Sequence, residues 1–246
     1  MIVPPASPSG LGAFLASADM ARRPAETVRL ARRCGLSWAV VLVESVDGRR
    51  QRPERVRTVC DALRAVGLEL WLYTFPGPAP LRSVQAIADH LLECSRVASV
   101  PHLCLDLEPH RGHDWSAREI AELVLAVRDI DLAPAITLFT RDEWSAMDWA
   151  TIAPSSPIWL QVYERVRSPS TLRKAIERWP GRHVVPLIGT YLGTSDRLES
   201  DLVHVEPWAR RAGALGIWSL ASTDGGEADV LRRWGEQALG VGTHHG

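Results

Sequence analysis

An unbroken alternation of eight short β-rich runs with helical segments predicts a single (β/α)8 TIM barrel, an α/β fold. Three observations carry this expectation. The alternation runs from about residue 11 to residue 240 with no linker dividing it. The runs are close to continuously apolar, as in WAVVLVE, LELWLYT and PIWLQVY, which suits a parallel sheet buried on both faces. The chain has 246 residues, a common length for one barrel. Residues 1–10 read as a flexible leader, 11–240 as the barrel and 241–246 as a disordered tail. The competing architecture is an open doubly wound sheet. Against it, GLGAF precedes the first expected strand instead of following it, so the dinucleotide-binding fingerprint is not met.

The elements follow in order. Residues 12–17, GAFLAS, make strand one, and Pro24 opens a helix that Gly35 stops. Residues 38–44 make strand two, which is rich in β-branched residues and ends on Glu44. After the polar turn DGRRQR, Pro53 opens a helix to about residue 66, closed by Gly67. Residues 68–74 make strand three, and a helix to about residue 97 follows the FPGPAP loop. Residues 102–108, HLCLDLE, make strand four. Ser116 and Glu119 form a capping-box signature for the helix after it. Strand five is 133–140 and a short helix is expected over 141–151. Strand six is 157–163, with a helix over 169–179. Strand seven is 183–191, followed by a helix to about residue 212. Strand eight is 214–220, with a last helix over 227–239.

Composition narrows the function classes. Twenty-eight basic and 29 acidic side chains give a net charge of −1, so neither nucleic acid nor an anionic membrane surface is an expected partner. Cys34, Cys60, Cys94 and Cys104 form no CxxC pair and read as buried free thiols. His102, His110, His113 and His183 lack the tight spacing of a metal site, so neither metal nor cofactor is expected. No secretory leader and no apolar run of membrane-spanning length is visible. Synthesis is expected in the cytoplasm, with any export left to a route that reads no leader.

The chemistry concentrates in HLCLDLE. On a strand, Asp106 and Glu108 share one face, their Cα atoms roughly 6.6 Å apart. Two acids that close raise one another's cost of ionising, which is the raw material of general acid catalysis. In a barrel the site lies at the C-terminal strand ends. Those ends supply Asp19, Glu44, Tyr73, Asp106, Glu108, Gln161, Tyr163, Glu164, Tyr191 and Trp218. Acids, amides and aromatics suit a carbohydrate, whose C–H faces pack on flat rings. Each residue also has a plainer role: Glu44 could pair with an arginine of the RRQR turn, and Tyr163 with Gln161 could fill the barrel. Trp115 could stack on a ligand or cover a helix.

An Asp-x-Glu ending on the fourth strand, Asp106-Leu107-Glu108, resembles the barrel glycoside hydrolases acting on N-acetylated amino sugars, the family-25 lysozymes and more distantly the family-18 chitinases. Tyr163-Glu164 on strand six is similar to the chitinase Tyr-Asp element. Trp218 on the last strand is similar to the tryptophan that floors the sugar site. The resemblance departs where the chitinase pattern has acids and this chain has Cys104 and Pro101. Asp19 lies slightly later than the family-25 aspartate at the end of strand one.

The resemblance implies a glycosidase cleaving peptidoglycan or a chitin-type polymer, with Glu108 as general acid. Asp106 would orient the substrate's N-acetyl group, or a second acid, Asp106 or Glu44, would serve as nucleophile or base. Asp19, Tyr73, Gln161, Tyr163, Glu164, Tyr191 and Trp218 would bind the sugar. The alternatives are an inactive glycan- or protein-binding barrel and a metal-dependent barrel enzyme.

Overall fold

The computed structural model describes residues 7–45, 48–77, 83–107, 115–131, 133–139, 147–153, 155–163, 168–179, 183–190 and 194–240, without the side chains of residues 18 and 19. Eight parallel strands close into one barrel in sequence order. They are β1 (Gly10–Leu15), β2 (Trp38–Glu44), β3 (Glu69–Thr74), β4 (His102–Asp106), β5 (Ala135–Phe139), β6 (Ile158–Gln161), β7 (Val184–Gly189) and β8 (Ala214–Trp218). The (β/α)8 TIM barrel is thus the fold of this chain.

Helices pack around the sheet. Those described are α1 (Ala18–Arg22), α2 (Pro24–Cys34), α3 (Pro53–Arg64), α4 (Val84–Ala98), α5 (Ala117–Ala126), α6 (Trp149–Ile152), α7 (Pro169–Glu177), α8 (Ser195–Ala212) and α9 (Gly225–Ala238). Proline opens α2, α3 and α7, where its missing N–H costs no intrahelical bond. Ser116 and Glu119 close the expected capping box on α5. Gly35 ends α2 at φ 68°, a left-handed conformation that glycine adopts without a Cβ clash. The short α1 was not anticipated, because residues 18–22 carry no apolar periodicity of their own.

Strand alternation sorts the core into two layers. Leu11, Ala13, Val41, Leu72, Leu103, Leu105 and their counterparts face the helices. Phe14, Trp38, Val40, Leu42, Trp71, Tyr73, Cys104, Trp159 and Leu187 face the barrel axis. Trp38, Trp71 and Trp159 fill the barrel interior with ring centroids 5.2–5.9 Å apart. A Cβ on Gly12 would overlap the Trp38 indole, and one on Gly216 would overlap Leu187. The interior is therefore a packed plug and not a pore.

One expectation is corrected here. GLGAFL is strand β1 itself, not a loop ahead of a strand starting at Gly12. Gly12 makes room for Trp38, and the strand begins and ends two residues earlier than expected. The strand carries Phe14 into the mouth.

At the opposite end, Asp131 pins the start of β4 by accepting the Leu103 N–H at 2.8 Å and the Ala133 N–H at 3.0 Å. Burial pushes its carboxyl above the usual range despite those two donors. Ser7, from the expected leader, lies 3.2 Å from His183 Nδ1. Residues 1–6 and the expected tail, 241–246, lie outside the described residues.

Candidate active site

The C-terminal halves of the strands aim a polar and aromatic set at the barrel axis. On β4 the period of two puts His102, Cys104 and Asp106 on the inward face. Asp106 is fully buried. From β6, two strands along the barrel, Gln161 Nε2 donates to Asp106 Oδ1 at 3.3 Å. Beneath Asp106, Cys104 Sγ donates to Thr137 Oγ1 at 3.8 Å. Burial, with the Asp106 charge adding to it, drives the Cys104 thiol well above its ordinary value. Position 104, where the chitinase pattern places an acid, thus holds a neutral, inert thiol.

An aromatic wall adjoins this pair. Phe14 stands 5.1 Å from Tyr73 and 5.1 Å from Trp218, and Tyr73 stands 6.0 Å from Trp218. Trp218 is partly exposed while Tyr73 is buried. Tyr163, just beyond β6, packs edge-on against Phe139 at 5.9 Å. Trp218 is held from behind by a network of hydroxyls and backbone. Thr190 N–H donates to Trp218 O at 2.9 Å. The hydroxyls of Thr190 and Thr223 donate to Ser219 O at 3.0 and 3.1 Å. The peptide bond between Trp218 and Ser219 is cis.

Glu44 goes elsewhere. The register between β2 and β3 shifts after Leu42, so Glu44 stands opposite Thr74 instead of continuing the inward set. Its buried carboxylate meets Arg50 Nε at 3.0 Å, and the same guanidinium donates to Ala86 O on α4. His90 of α4 lies 3.3 Å from Val43 O. Glu44 therefore ties β2 to the turn after it and, through Arg50, to α4. Among the described residues its ion-pair partner is Arg50, while Asp106 is bonded by Gln161.

Asp19 falls in α1, and its side chain lies outside the described residues. Glu108, Glu164 and Tyr191 lie outside them too. Leu107, just past β4, still donates its N–H to Thr137 O at 3.3 Å. Trp115 is buried in the outer core, so it packs between sheet and helices instead of facing the mouth. Phe14 was not among the anticipated site residues, because strand one was expected to start and end two residues late. Among the described residues, no group of three or more His, Cys, Asp and Glu side chains converges as a metal site. No helix among them is long and apolar enough to cross a membrane.

No protein-family model and no curated protein matches the sequence. Solved structures match the fold. The chitinase ChiB of Flavobacterium johnsoniae, of glycoside hydrolase family 18, superposes with a TM-score of 0.67 at 12% identity, covering 98% of this chain and 100% of that one. A β-mannanase of Thermomonospora fusca in complex with mannotriose gives 0.65 at 14% identity, covering 94% and 88%. The endoglucanase Cel5A of Pseudomonas stutzeri gives 0.57 at 10% identity, covering 85% of each. The chain shares its (β/α)8 fold with these glycoside hydrolase barrels. At such identities the likeness is one of fold.

Proposed function

We propose that this barrel is a glycoside hydrolase acting on an N-acetylated amino-sugar polymer of the peptidoglycan or chitin type. The observation that carries the reading is the buried Asp106 carboxyl. It faces the barrel axis at the C-terminal end of β4 and is held by Gln161, beside the Phe14–Tyr73–Trp218 wall. That is where barrel enzymes keep their chemistry. The aromatic wall offers a face for the C–H surface of a sugar ring, and the fold is that of chitinase and mannanase barrels.

In this reading Glu108, two residues beyond Asp106, gives its proton to the leaving glycosidic oxygen. Asp106 steadies the substrate's N-acetyl group while its carbonyl oxygen attacks the anomeric carbon. Water then opens the intermediate and returns a proton to Glu108. Glu44, spent on Arg50, takes no part. Trp218 and Tyr73 form the floor and wall of the sugar site, and Tyr163 and Gln161 bind its polar groups. Asp19 of α1 and, just past strands six and seven in the sequence, Glu164 and Tyr191 complete the binding set.

One observation favours a second reading, a barrel that binds glycan without cleaving it. The inward position beneath Asp106 carries the neutral Cys104 thiol where the resembling family has a carboxyl. The purified chain, incubated with peptidoglycan, chito-oligosaccharides and mannan, separates the two. New reducing ends from the N-acetylated polymers, unchanged by chelator, support the hydrolase. Binding with no turnover supports the inactive barrel, and turnover abolished by chelator supports a metal-dependent enzyme.

A further inference from the structure

We propose that Gln161 is a positioning residue that holds Asp106 in its ionised form. This rests on the hydrolase reading for its role in turnover, and on geometry alone for its effect on Asp106. Both side chains are essentially sealed from water, at 1% and 0% exposure. They come from β6 and β4, 55 residues apart, and meet inside the barrel at 3.3 Å.

An ionised carboxylate can only accept hydrogen bonds, so it turns the NH2 end of the amide toward itself. A donor on the charged form favours that form. The partner at the other plausible position, beneath Asp106 on its own strand, is a thiol and supplies no charge of either sign. Among the described residues, the titratable side chains on the inward faces around Asp106 are His102 and Cys104 on β4, Tyr73 on β3 and Tyr163 beyond β6; Glu108 follows two residues along the chain. Strand β5 contributes Thr137 and Phe139, which do not titrate. Burial alone would push a carboxyl toward its neutral form, so the Gln161 amide opposes that push.

Pinning the NH2 end also fixes the other end of the planar amide. Gln161 Oε1 is buried with no hydrogen-bond partner among the described residues.

The test compares Gln161→Glu and Gln161→Met with the unaltered protein. Glu keeps the shape but puts a second carboxyl beside Asp106, so the two share a proton. Met keeps the length and removes the donor. The Asp106 carboxyl is followed by carbon-detected NMR titration in aspartate-labelled protein, and the pH profile of hydrolysis is followed in parallel. The expected result is an upward move of the Asp106 titration by about one pH unit or more in both variants. The acid limb of kcat/KM should move up with it, and turnover at a pH on that limb should fall about tenfold. An unmoved Asp106 titration in both variants overturns the proposal, as does loss of fold in both, which would reduce Gln161 to packing. If the unaltered protein cleaves no glycan yet the Asp106 titration moves, the hydrolase reading fails and the positioning role stands.

Discussion

The indole of Trp38 occupies the space in which a side chain on Gly12 would begin, and its Nε1 donates to Gly10 O at 3.1 Å. Neighbouring strands β1 and β2 thus fit as bump and hollow at the barrel's packed floor. Gly12→Ala should destabilise the fold by about 1–3 kcal/mol, the usual cost of overpacking a tight core. Denaturant unfolding measures this. Combining it with Trp38→Leu should recover part of the loss, because the two sites share one volume. Additive losses would mean that the clash is relieved elsewhere.

Glu44 and Arg50 form a pair in which the acid is buried and the guanidinium is about one-third exposed. Water screens the arginine, so the pair is worth less than a fully buried one. Glu44→Gln should cost about 1–2 kcal/mol of stability. It should leave glycan hydrolysis within about twofold of the unaltered protein. A collapse of turnover with unchanged melting would place Glu44 in the reaction after all.

Burial holds the His90 imidazole below its ordinary titration range, and the Val43 carbonyl and the nearby Glu44 and Glu93 only partly oppose this. The unfolded chain therefore takes up a proton first as pH falls through about 6.5. Stability is full above that value and declines as pH drops below it toward the lowered folded-state range. Thermal melts at stepped pH should show this decline, and His90→Gln should flatten it. An identical decline in the variant would assign the effect to other groups.

The four cysteines are buried and free. Burial pushes Cys34, Cys60 and Cys94 up to about 12, and Cys104 rises well above its ordinary value for the same reason. Thiolate is the reactive form. A disulfide reagent at pH 8 should find no fast-reacting thiol in the folded protein and four after denaturation. Rapid labelling of one thiol in the native state would contradict this account of the core.

Much of the barrel was legible because its strands are apolar on both faces and are punctuated by proline and glycine. Period-two alternation from an inward anchor also assigns Tyr73, Asp106 and Gln161 to the axis-facing side. Two features were not legible. A register shift after Leu42 breaks that alternation for Glu44, and a bulge leaves no mark in the apolar pattern. The extent of β1 was misjudged because Gly10 reads as the end of the leader and Gly12 as the first strand residue. Gly12 is held to glycine by Trp38, a neighbour in space that the local sequence does not reveal.

The most direct test of the proposed chemistry is the turnover of peptidoglycan and chito-oligosaccharide by Glu108→Gln. The amide keeps the shape and removes the proton to be donated. Reducing-end release should fall by about a hundredfold or more, as expected for loss of a general acid, with the melting temperature unchanged. Turnover equal to that of the unaltered protein would contradict the assignment of Glu108 and, with it, the mechanism built on the β4 acids.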